Sequence, residues 1–160
     1  MNINLTTELV GDVITEALKH VHKKSEKQKI TVIQPDDLLL AKMDARLIVQ
    51  VLINLLDNAV KYTPSDSQIT VTAKRNGEKV CVSVADNGNG IADEQKSRVF
   101  DMFYTGANKI ADSRRSVGLG LSLCKSIINA HGGEITIANN IPHGAIFAFT
   151  LPVGEVEIHE

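Results

Sequence analysis

Three polar side chains recur inside an apolar run. Residues 44–63 read DARLIVQVLINLLDNAVKYT, with Asn54, Asn58 and Lys61 at i, i+4 and i+7. On a helix this spacing lines up two amides and one ammonium on a single face. Leu47, Val51, Leu52, Leu55, Leu56 and Ala59 share the three- and four-residue period and would bury the opposite face. Asn is a poor helix former, because its side chain competes for backbone hydrogen bonds. Two of them in so apolar a helix need a reason, and the plain one is that they satisfy buried backbone groups.

Two glycine segments follow. Asp86-Asn-Gly88-Asn-Gly90 comes directly after an alternating apolar stretch. A carboxylate at a strand end can accept a hydrogen bond from an exocyclic amine such as adenine N6, and glycine lets a ligand approach the backbone closely. The same residues also read as a turn that merely reverses the chain. Further on, VGLGLSLCKSI (117–127) places Gly118 and Gly120 at the start of a helix with apolar Leu121, Leu123, Cys124, Ile127 and Ile128. The free N–H groups and dipole of a helix start make an anion site; a helix softened by glycine is the plainer alternative. Neither G-x-x-x-x-G-K-S/T nor a G-x-G-x-x-G after a first strand is present. A nucleotide reading therefore rests on the combination and its order.

These segments need elements to hold them. The periodicity predicts a helix over 6–24, a strand over 29–34, and the long helix from an N-cap at Asp44 to the stop at Thr63-Pro64. Residues 69–75 and 80–84 alternate as a hairpin turned by Asn76-Gly77. A short helix is expected over 93–101 and an aperiodic loop over 104–117. A helix over 118–131, stopped by Gly132-Gly133, would then lead into a strand pair over 134–138 and 145–151 joined by NNIPHG. Helices and hairpins together predict an α/β (α+β) two-layer sandwich, a mixed β-sheet covered on one face by helices. The chain reads as a single domain over 1–160, with a core over 6–152 and a loose tail.

Composition narrows the function. The chain of 160 residues is long enough for one real core. Its net charge of −2 gives no electrostatic case for nucleic acid. Aromatics at 4 %, with no Trp, leave few platforms for stacking bases. No apolar run reaches the roughly 18 residues of a spanning helix, and the start MNINLTTELV lacks signal-peptide character. Cys81 and Cys124 sit in apolar segments and read as reduced core residues of a cytoplasmic protein.

Taken together, the segments resemble the ATP-binding catalytic domain of two-component sensor histidine kinases. These belong to the superfamily that includes gyrase, the chaperone ATPases and the mismatch-repair ATPases and that shares the Bergerat ATP-binding fold. The N box is Asn54-Leu-Leu-Asp-Asn58-Ala-Val-Lys61-Tyr62-Thr, and the G1 box is Asp86-Asn-Gly88-Asn-Gly90. The F box is Val99-Phe100-Asp-Met-Phe103-Tyr, and the G2 box is Gly118-Leu119-Gly120-Leu121. The four boxes in order are far more specific than any one of them. The segment from GANK to GGEI looks most like the potassium-responsive sensor kinases that control potassium uptake operons.

The resemblance implies ATP and Mg²⁺ as ligands. It gives Asn58 the role of metal ligand, sends Lys61 to the triphosphate and has Tyr62 line the site. It also has Asp86 read the adenine amine and Gly88, Gly90 and Ile91 shape the floor below it. Phe103, Gly118, Leu119, Gly120 and Leu121 complete the pocket, and Lys109, Arg114 and Arg115 are the lid cations that can meet the γ-phosphate. ATP-hydrolysing relatives and anti-sigma-factor serine kinases carry Glu four residues before the metal Asn; here Asn54 stands there. An amide cannot accept a proton usefully, so Asn54 favours a histidine kinase with slow intrinsic hydrolysis.

None of His20, His22, His131, His143 or His159 lies in the family's phosphoacceptor pattern. His20 and His22 read as solvated residues near a helix end, and His131 as a cap. No acceptor histidine or general base is therefore expected in this chain. The resemblance implies a dimerisation and phosphoacceptor domain of the same receptor as partner, then a response regulator. The isolated domain is expected to be monomeric and to be the cytoplasmic part of a membrane-anchored sensor kinase. Two departures stand out: Ser116 replaces the first glycine of the G2 pattern, and Thr105 stands where an Arg commonly follows the F box. They keep a nucleotide-binding pseudokinase or interaction module as the alternative; an anti-sigma-type serine kinase is the third reading.

Overall fold

A computed structural model describes residues 2–21, 27–101 and 117–155, with only the backbone of 117–119. Its centre is a five-stranded sheet of order β2-β4-β5-β7-β6. The strands are β2 (Lys29–Ile33), β4 (Gln68–Asn76), β5 (Lys79–Asp86), β6 (Ile135–Asn139) and β7 (Ala145–Pro152). β2 pairs parallel with β4, and the other neighbours pair antiparallel. The sheet is mixed because parallel strands need a crossover, and this one runs through α2 (Ala45–Tyr62).

Period-two patterning decides which face is covered. Ile69, Val71 and Ala73 of β4, Val80, Val82 and Val84 of β5, and Phe147, Phe149 and Leu151 of β7 are buried. Alternate positions, among them Thr70, Ser83 and Ala148, stay half-exposed. Helix α2 lies over the buried face and packs against α1 (Val10–Val21) and α4 (Val117–Ala130). It brings Ile48, Val51, Leu52, Leu55, Leu56 and Ala59 into the core. Ile48 is buried and Leu47 only partly so, a small rotation from the predicted stripe. The two-layer sandwich with its mixed sheet is therefore observed.

The structure corrects the first helix. Thr6–Leu9 is strand β1, paired antiparallel with β3 (Leu40–Met43), and α1 starts only at Val10. Four-residue strands carry too little periodicity to announce themselves, and this pair forms between segments 37 residues apart at Thr6↔Met43. Nor is 93–101 one helix: α3 covers Asp93–Lys96, and turns bonded Arg98 N–H to Gln95 C=O and Asp101 N–H to Arg98 C=O follow. The ordered chain also runs past 152. Val153 bridges Ala41, and the N–H of buried Gly154 donates to the Leu40 carbonyl, stitching the small sheet to the end of β7.

Candidate functional site

Helix α2 begins where predicted, but by other means. Asp44 takes the extended N-cap conformation without a side-chain cap bond. Its buried carboxylate accepts from the Asn4 N–H at 3.1 Å and pairs with Arg46 at 3.3 Å. That guanidinium, followed by the Asn4 N–H, holds the Asp44 carboxyl below its ordinary value. The Asp44 N–H donates to His131 Nε2 at 3.0 Å, while His131 Nδ1 lies 2.8 Å from the Ile127 carbonyl. A carbonyl can only accept, so Nδ1 carries the proton and Nε2 is the acceptor. Buried His131 thus joins the end of α4 to the start of α2.

The polar stripe of α2 divides into two kinds of amide. The Asn54 oxygen accepts from Gln50 Nε2 at 3.1 Å, and its Nδ2 donates to the Gly120 carbonyl at 3.4 Å. Asn54 therefore ties the N-box helix to the first turn of α4. Half-buried Asn58, one turn on, has no such side-chain bond among the described residues. Lys61 and Tyr62 end the helix exposed, with Lys61 Nζ 5.2 Å from the Tyr62 ring centre. Thr63, the C-cap, donates its hydroxyl back to the Ala59 carbonyl.

Thr63 also meets the second segment. A Cβ at Gly88 would lie 2.8 Å from Thr63 Cγ2, so only glycine lets the α2 end and the loop after β5 come this close. Asp86 Oδ1 accepts from the Gly88 N–H at 2.9 Å and the Ala145 N–H at 3.3 Å. Those two bonds fix the carboxylate and leave Oδ2 for an incoming donor. Gly90 is exposed, and Ile91 is half-buried against the core.

At the third segment, the backbone of Gly118 and Leu119 lies in the first turn of α4, with Gly120 and Leu121 half-buried beside it. Cys124, Ile127 and Ile128 are buried in the core, whereas Leu123 is exposed. Burial pushes the Cys124 thiol up to about 12, so it is neutral and no nucleophile. The structure thus brings Asn54, Asn58, Lys61, Tyr62, Asp86, Gly88 and Gly120 onto connected edges of one region. Phe103, Lys109, Arg114 and Arg115, with Thr105 and Ser116, lie outside the described residues.

Sequence reasoning missed the 140–144 loop, read only as a connection between strands. Asn140 Nδ2 donates to the Asp86 carbonyl at 2.7 Å, and His143 Nδ1 lies 2.9 Å from the Gly88 carbonyl. Gly144 has φ +115, and a Cβ there would fall 1.9 Å from the Asp86 oxygen. No local signal announces contacts that span more than 50 residues. A glycine just before an alternating strand was the one available hint.

The chain as a whole is similar to known proteins. Residues 43–155 match the model of the "Histidine kinase-, DNA gyrase B-, and HSP90-like ATPase" family. The chain is 44 % identical over 150 residues to "Sensor protein KdpD" of Clostridium acetobutylicum, covering 94 % of this chain and 17 % of that one. It is 41 % identical over 141 residues to "Adaptive-response sensory kinase SasA" of Gloeothece citriformis, covering 86 % and 35 %. This chain thus spans about a third or less of these relatives. The catalytic domain of histidine kinase ThkA superposes with a TM-score of 0.80 at 31 % identity, covering 94 % and 97 %. ThkA has also been solved in complex with response regulator protein TrrA; that structure superposes at 0.78 and 31 % identity, covering 92 % and 41 %. The chain belongs to the histidine kinase-, DNA gyrase B- and HSP90-like ATPase family, as a catalytic domain of the sensor histidine kinase kind.

Proposed function

We propose that the domain binds Mg-ATP and donates the γ-phosphoryl group to a histidine on a separate dimerisation domain of the same receptor. The observation that carries this reading is the Asp86 carboxylate, fixed through Oδ1 by two backbone N–H groups, one of them that of Gly88, which abuts Thr63 at the end of the N-box helix. An adenine amine donates to Oδ2, above a floor of Gly88, Gly90 and Ile91 and beside Tyr62. The triphosphate runs between α2 and the start of α4, where Gly118 and Leu119 of the first turn offer backbone N–H groups and Gly120 and Leu121 line the site. Lys61 approaches it from α2, and the family resemblance assigns Phe103, Lys109, Arg114 and Arg115 to the same nucleotide.

The donor set fits magnesium. Among the described residues, no group of three His, Cys, Asp or Glu side chains could hold a metal. Asn58 offers one hard oxygen, and such a cation completes its shell with phosphate oxygens and water. When bound, Mg²⁺ neutralises charge on the phosphates. The partner imidazole attacks the γ-phosphorus as the bond to the bridging oxygen breaks and ADP leaves. Asn54 cannot take a proton from water, so little ATP is lost to hydrolysis.

Partners follow from the same reading: the phosphoacceptor domain first, then a response regulator, as ThkA has with TrrA. Among the described residues no helix is long and apolar enough to cross a membrane. We place the domain, monomeric by itself, on the cytoplasmic side of a membrane-anchored kinase, with potassium or osmotic sensing as its input on the likeness to KdpD. Mixing the domain with γ-labelled ATP and the phosphoacceptor domain of its own receptor tests this. Acid-labile label on a histidine is expected. Acid-stable label would support a serine kinase instead, and binding without transfer would support a pseudokinase.

A further inference from the structure

We propose that His143 is a positioning residue for purine selectivity, its Nδ1–H holding the Gly88 carbonyl and, through Gly88, the Asp86 carboxylate. The inference deepens the nucleotide reading above and rests on it. Gly88 is gripped at both ends: its N–H donates to Asp86 Oδ1 at 2.9 Å and its C=O faces His143 Nδ1 at 2.9 Å. The carbonyl is an obligate acceptor, so His143 must present Nδ1–H, whatever Nε2 carries. The loop that brings the imidazole there is itself tied, Asn140 N–H to Gly144 C=O at 3.0 Å and Asn140 Nδ2 to the Asp86 carbonyl at 2.7 Å. His143 is thus the side-chain end of a braced lever pressing on the base-reading segment.

The chemistry of the base makes this orientation matter. With Oδ1 engaged, Oδ2 is an acceptor aimed at a ligand. It suits the exocyclic amine of adenine and repels the exocyclic carbonyl oxygen of guanine. Selectivity of this kind comes as much from the unpaired or repulsive contact as from the matched one. Releasing Gly88 lets the carboxylate turn and water enter, which weakens the matched base and relieves the mismatched one.

The test is calorimetric titration of Mg-ATP and Mg-GTP into the wild-type chain, His143→Ala, His143→Asn and His143→Gln, with melting of each free protein alongside. Asn places a donor on the atom after Cγ, as Nδ1 is placed; Gln places it one atom further out. Loss of one hydrogen bond predicts about three- to tenfold weaker ATP binding in His143→Ala, with GTP binding unchanged or tighter. His143→Asn restores the wild-type ATP/GTP ratio and His143→Gln does not. A wild-type ratio in His143→Ala, or equal ratios in the Asn and Gln variants, overturns the proposal. The Asn and Gln pair carries the test alone if the Ala variant does not fold. No ATP binding by the wild type would overturn the nucleotide reading as well; wild-type binding with an unmoved ratio overturns this proposal only.

Discussion

The two ends of the site are built differently. Around Asp86 most polar groups meet a backbone or loop partner and Oδ2 is left open: Oδ1 takes two N–H groups, the main-chain carbonyl takes Asn140, and Gly88 is held by His143. Along α2 the amides are looser. Asn54 reaches Gly120 only at 3.4 Å, and Asn58 makes no side-chain bond among the described residues. A group that must read one donor pattern gains from being fixed beforehand, since ordering it on binding would cost affinity. A group that must follow a hydrated cation and moving phosphates gains from remaining free. On the proposed reading, one end is preorganised by the fold and the other is completed by its ligand.

The largest effect should come from breaking the braced end. Gly144→Ala forces a Cβ toward the Asp86 carbonyl at a positive φ; the backbone strain alone costs about 1–3 kcal/mol, and the collision adds to it. Urea unfolding should show the loss, and ATP binding should vanish with it. Asp86→Asn should keep the fold, because an amide oxygen can still accept from Gly88 and Ala145. The amide nitrogen would then face the adenine amine, donor against donor, weakening ATP binding by roughly 10- to 100-fold.

The looser end sharpens the comparison through its two amides. Asn58→Ala should abolish the difference between ATP affinities measured with Mg²⁺ and with EDTA. Asn54→Ala should leave that difference in place and cost about 0.5–1.5 kcal/mol of stability, for an exposed bond to Gln50 and a long one to Gly120. If the two variants behave alike, the distinction between them is wrong.

The smallest effect lies away from both ends, at Asp44. Its carboxyl is held below its ordinary value of 3.8 chiefly by Arg46. A depressed carboxyl contributes stability that is complete above that value and lost as pH falls through the folded one. Asp44→Asn should therefore narrow the stability gap between neutral solution and pH 3, with Arg46, largely exposed, limiting the size of the effect.

What the sequence made legible follows the same division. Helix α2 could be read but for the exchange of Leu47 for Ile48, because a 3.6 period and Pro64 are local signals, and so could the β4–β5 hairpin with its alternation. The β1–β3 pair could not, since each strand has four residues and the stabilising partner lies far along the chain. Asp44 had the right type for an N-cap, yet tertiary partners claimed its carboxylate. At the candidate site, the boxes pointed to Asp86 and Asn58, while Asn140 and His143 gave no sign and Gly144 only a faint one, because their contacts exist only once β6 and β7 fold back against the loop after β5.

The most direct test is to titrate ATP calorimetrically into the wild-type domain, first with Mg²⁺ and then with EDTA. One-to-one binding that weakens when the metal is removed is the predicted result. A folded domain that takes up no ATP at concentrations on the order of a millimolar would contradict the account.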